Sequence, residues 1–159
     1  MGERARPAGS ALWLVWPTAA LGLALGGCGP GGPAFDPSVP LRDGVYIGES
    51  EPDEEGARGR STVTVEDGRI TASEYVTVQA NGSVKAEDYG KTSAGEIGNK
   101  EAYEAAQKAV AAFDVYARAL IEVGVPADVD VIAGATIAHR QFVEAATAAL
   151  IASQGAATP

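Results

Sequence analysis

Between Asn99 and Pro126 lies the stretch that most restricts the fold. Tyr103, Ala106, Val110, Phe113, Ala117 and Leu120 recur there at steps of three and four. That period places them on one face of a long α-helix, with Asn99 as its N-terminal cap and Gly124, followed by Pro126, as its stop. The aromatic members share their face with Ala and Leu, so the stripe reads as core rather than as a cofactor box. Such a stripe must be covered by another layer of structure.

The residues before it supply strands. From Gly44, Val45 and Ile47 alternate with Tyr46 and Gly48, and Ser61 to Glu66 alternates Thr and Val with Val63 and Val65 on one face. Asp67-Gly68 is a two-residue hairpin signal, after which Arg69 to Val78 returns, and Asn81-Gly82 marks a second tight turn. The acidic run Glu49, Glu51, Asp53, Glu54, Glu55 reads as a solvated loop, because calcium loops need ligands at set offsets and a closing Glu that this spacing lacks. Val84 to Gly98 is polar and reads as loop or short irregular helix. After Gly124, Asp130-Val131-Ile132 reads as the end of a short strand. A second helix then spans Ile137 to Ile151, with Phe142, Val143, Ala146, Ala149 and Leu150 apolar and Gly155 as its stop. The fold class is therefore α+β, an antiparallel sheet of hairpins packed against two main helices.

Residues 1–27 stand apart. Arg4 and Arg6 precede a nearly continuous apolar run from Ala8 to Ala24, and Leu25-Gly26-Gly27 leads to Cys28, the sole cysteine of the 159 residues. Charge, apolar core and small residues in that order form an export leader. A lipoprotein signal, an ordinary secretory signal and an uncleaved anchor all export the downstream residues. Residues 28–42, rich in Gly and Pro, read as a tether, 43–152 as one domain and 153–159 as a tail. Loss of Arg4, Arg6 and Glu3 with the leader changes the net charge from −9 to −10. So acidic a domain is unsuited to nucleic acid or to anionic headgroups. One cysteine excludes an intrachain disulfide framework.

The remaining unusual stretch is Asp130-Val131-Ile132-Ala133-Gly134-Ala135-Thr136. Three small residues bare the backbone and a lone hydroxyl comes next, at or beside a helix N-cap, where free N–H groups and the helix dipole favour an anion. A helix cap and a phosphate site both fit these residues. Elsewhere the chain offers no catalytic triad, paired carboxylates, Cys/His metal spacing or phosphate-binding Gly loop, so no metal or catalytic residue is assigned.

The run Asp130-x-x-Ala133-Gly134-Ala135-Thr136 resembles the flavinylation motif of the FMN-binding domain family. That domain also occurs in a subunit of sodium-translocating NADH:quinone reductases and in Rnf-type complexes. Asp43 to Ser50, Val63 to Ile70 and Glu87-Asp88-Tyr89 resemble the family's stand-alone lipoproteins in the same order, so the likeness covers about Asp43 to Leu150. Ala133 stands where many members have Ser or Thr. The resemblance implies that Thr136 carries FMN covalently through a phosphoester installed by an FMN transferase, with Asp130 helping that enzyme recognise the segment. The Leu-Gly-Gly-Cys run similarly resembles a lipoprotein signal, implying lipidation at Cys28 and attachment of the exported domain to a membrane of the cell envelope.

Three further residues are candidate flavin contacts, each with a plainer account beside it. Tyr89 leans on the ring or packs over its loop; His139 approaches the ring or faces water; Arg140 neutralises the phosphate or faces water. With no machinery for activating a substrate, the expected function is electron carriage between a membrane donor and an exported acceptor or reductase. A flavin that reduces a small acceptor, and a flavin-free surface lipoprotein for adhesion or signalling, are the alternatives.

Overall fold

The computed structural model describes Gly2 and residues 34–155. The expected leader, Cys28, the first part of the tether and the end of the tail lie outside these residues. Three strands, β1 (Gly44–Glu49), β2 (Arg58–Glu66) and β3 (Arg69–Val78), form one antiparallel sheet in that order. Helices α1 (Lys100–Val123) and α2 (Thr136–Ser153) pack on it, α1 against β3 and α2 against β1 and β2. This is the α+β arrangement expected from the hairpin signals and the two apolar stripes.

Turn chemistry sets the register. Glu66 pairs with Arg69 across Asp67-Gly68, whose φ values of 51° and 70° give the doubly left-handed turn that matches strand twist. A bulge between Thr64 and Val65 then shifts the pairing by one residue. In β2 the alternation turns Ser61, Val63 and Val65 inward, where they are completely or almost completely buried.

β1 behaves differently. Its Val45 and Ile47 are 65% and 58% exposed on the outer face, while Gly48 is buried against α2. A Cβ at Gly48 would run into the Ala145 carbonyl and the Ala149 amide, and one at Gly59 would lie 2.8 Å from the Gln141 carbonyl. The helix therefore rides on glycine. Its own facing residues, Ala145, Ala146 and Ala149, are small and fully buried.

Aromatic rings fill the space between the helices and β3. Tyr75 meets Phe113 and Phe142 edge-on at 5.2 Å, and Tyr116 stacks on Phe142 at 5.3 Å. Asn99 caps α1 by accepting the Ala102 N–H, and Gly124, with φ 74°, ends it. Only the second half of the α1 stripe is core, however. Burial begins at Ala112, whereas Tyr103, Ala106 and Val110 are half-buried.

Two segments depart from expectation. No strand forms over Asp130 to Ile132; a 3-10 turn at Pro126–Asp128 leads into irregular chain as far as Ala135. The physical reason is visible in the bonding, since side chains of both helices take up polar groups that a strand would have offered to a neighbour. Residues 34–42, read as the end of a tether, lie against the domain. Phe35 and Leu41 pack on the core, the Arg42 N–H donates to the Ser153 carbonyl, and the Gln154 amide donates to the carbonyls of Asp36 and Val39.

Candidate functional site

The seven residues from Asp130 to Thr136 form a pinned loop. Below it, the buried Tyr116 hydroxyl accepts the Ile132 N–H at 3.1 Å and donates to the Ala135 carbonyl at 3.3 Å. From α2, His139 Nε2 donates to the Val129 carbonyl at 2.7 Å, which assigns the ring proton to that nitrogen. The Ala135 N–H closes the loop onto the Ile132 carbonyl at 2.9 Å. Val129 and Ala135 are buried, and Ala133, Gly134 and Thr136 are left on the surface.

Thr136 is the first residue of α2, one place inside the N-cap. The cap itself is Ala135 and contributes no side-chain hydrogen bond. The first helical bond in this turn runs from the His139 N–H to the Ala135 carbonyl, so the amides of Thr136, Ile137 and Ala138 precede it. Among the described residues the Thr136 hydroxyl has no hydrogen-bond partner. A threonine that caps a helix would be bonded to its own backbone; this one is exposed and forms no cap.

Beside it opens a cleft of about 910 Å³, large on the scale of roughly 300–1,000 Å³ typical of small-molecule sites. One wall is the first part of α1, where the exposed Ala102 and Ala105 and the half-buried Ala106 and Ala109 present methyl groups and Phe113 closes the end. Small side chains make that wall flat. Ile137, 61% exposed, and Tyr89 add apolar surface, and Thr77, Lys85 and the Asp53–Glu55 loop also line the cleft. Gly134, Ala135, Thr136 and Arg140 complete the lining.

The candidate contacts separate accordingly. Tyr89 and Arg140 lie on the cleft, and Arg140 comes one helical turn after Thr136 on the same face. His139 is outside the lining, its ring held edge-on to Tyr116 at 5.3 Å while Nε2 holds Val129. Asp130 and Ala133 are exposed and also outside it. Sequence reasoning passed over Tyr116 and Lys85, and it read Asp53 as part of a solvated loop although its side chain is only 11% exposed and bonded to the loop's own backbone. A tyrosine within an apolar stripe was the available signal for Tyr116, because a buried hydroxyl requires partners.

The FMN-binding domain family matches residues 57–151, well over half of the chain. The chain belongs to the FMN-binding domain family. No curated protein matches it. Among solved structures, the CPE2226 protein from Clostridium perfringens is similar, with 25% identity over 75% of this chain and 93% of that one, at a TM-score of 0.58. The residues of this FMN-binding domain suit the cofactor on their own terms. They provide an unbonded hydroxyl with uncapped amides and a cation beside it, next to a cleft whose flat apolar wall and tyrosine fit a planar ring system.

Proposed function

We propose that Thr136 carries FMN through a phosphoester, that lipid on Cys28 holds the exported chain at a membrane, and that the protein passes electrons from a membrane donor to an extracytoplasmic acceptor or reductase. One observation supports this above the rest: a solvent-exposed, unpartnered threonine hydroxyl projects from a pinned loop at the edge of a flat-walled cleft. Bound flavin would supply the one- and two-electron chemistry. The protein's own part is to hold, orient and shelter.

Tyr116 and His139 hold the loop in one shape, which is what an external FMN transferase needs in order to reach Thr136. The uncapped amides at the start of α2 and the Arg140 guanidinium favour a phosphate ester at that hydroxyl. The alanine wall of α1 and Ile137 would keep water from one side of the cleft. Asp130, exposed and apart from the cleft, is left for recognition by the transferase. Covalent attachment answers a need created by export, because a dissociable cofactor would be lost to bulk solvent.

Co-expression of the mature domain with an FMN transferase and magnesium tests this directly. The wild-type protein is expected to fluoresce on a denaturing gel and to gain the mass of one FMN less one water. Thr136→Ala is expected to lose both signals while stability changes by less than about 0.5 kcal/mol, since the exposed side chain forms no cap. An unlabelled wild-type band, or a label that survives Thr136→Ala, defeats the assignment.

A further inference from the structure

Lys85 occupies a peculiar position in the cleft. The Asn81-Gly82 turn brings the chain back beside β3, where the Lys85 N–H donates to the Thr77 carbonyl at 2.8 Å. Its side chain is only 12% exposed, which is unusual for lysine. The ammonium stands 4.7 Å from the centre of the Tyr89 ring and 3.8 Å from Asp53 Oδ2. At that separation the carboxylate offsets its charge without accepting a hydrogen bond. Among the described residues no acceptor takes any of its three N–H groups.

Asp53 is itself fixed. Its Oδ1 accepts the N–H groups of Glu55 and Ala57 at 3.0 and 2.8 Å, so Oδ2 is held toward the lysine. A largely buried ammonium with unused donors, clamped between a fixed carboxylate and an aromatic face, calls for acceptor atoms from whatever fills the cleft. On the proposed reading Arg140, one turn beyond Thr136, serves the phosphate end. The carbonyl oxygens and ring nitrogens of the isoalloxazine are the acceptors that remain.

We propose that Lys85, clamped between Asp53 and Tyr89, is the positioning residue that favours the reduced form of the flavin in this cleft. The inference rests on the reading that FMN occupies it. Reduction by two electrons with uptake of one proton leaves the bound group one unit more negative, and a neighbouring ammonium stabilises that charge whereas a neighbouring carboxylate opposes it.

Equilibrium titration of the flavinylated domain with dithionite, against a reference dye, reads the effect without any turnover. Lys85→Met is expected to lower the reduced-to-oxidised ratio at fixed ambient potential at least tenfold, about 30 mV for a two-electron couple. Asp53→Asn keeps the Oδ1 acceptor but removes the opposing charge, and is expected to shift the ratio the other way. Lys85→Arg retains the cation and should remain near wild type, which separates loss of charge from damage to the fold. A fluorescent Lys85→Met protein with the wild-type ratio, or an Asp53→Asn shift in the same direction as Lys85→Met, overturns this inference alone. An unlabelled wild-type band removes the attachment reading and this inference with it.

Discussion

At Gly134 the backbone adopts φ 87°, yet a Cβ there would meet nothing within 4 Å. The small residues of the motif, read from the sequence as room for a phosphate, therefore do separate jobs. Gly134 supplies a left-handed turn, and Ala135 is buried beneath the loop. Gly134→Ala is expected to cost about 1–2 kcal/mol through backbone strain alone. It should also reduce the labelled fraction on a denaturing fluorescence gel, because the turn that presents Thr136 is altered. The place of Thr136 at the start of α2 and the bare backbone before it were legible in the chain because both are local. The bonds of Tyr116 and His139 to the loop and the pairing of Lys85 with Asp53 were not, since each joins residues at least ten positions apart, and only the fold creates those meetings.

Among the elements, the closest approach is that of α2 to β1 and β2. Gly48 and Gly59 leave no space between sheet and helix backbone, and the buried alanines of α2 answer them from the other side. Gly48→Ala must push the helix outward or bend the strand, at an expected cost of about 3 kcal/mol or more, measurable as a fall in the urea midpoint. The hairpin at Asp67-Gly68 and both ends of α1 could be read in advance, because turns and caps are written in adjacent residues. The strand expected at Asp130 to Ile132 failed for the opposite reason. Two apolar residues resemble a strand, but strand formation needs a neighbour, and here tyrosine and histidine side chains supply the bonds instead. The first half of the α1 stripe had the period of a core helix and became a cleft wall, a distinction that periodicity does not carry.

For the whole molecule, Tyr75 connects the sheet to both helices, with edge contacts to Phe113 and Phe142 and a 2.9 Å hydrogen bond to the Ala138 carbonyl. Burial pushes its hydroxyl well above the ordinary value near 10. The unfolded chain thus releases this proton at lower pH than the folded one. The stability contributed by the neutral phenol is complete below about pH 10 and is lost as pH rises toward the folded value. Denaturant midpoints are expected to fall above about pH 10. Tyr75→Phe should flatten that fall, at a cost of about 1 kcal/mol near neutrality for the missing hydrogen bond. A wild-type midpoint that stays level to higher pH would contradict this role for Tyr75.

The seven residues before α2 are gripped by one side chain from position 116 and another from position 139. The first grip needs α1 in place and the second needs α2, so the loop has little freedom to loosen by itself. A chemical handle set there inherits the steadiness of the entire domain, and a chain that has not folded has no fixed handle to offer.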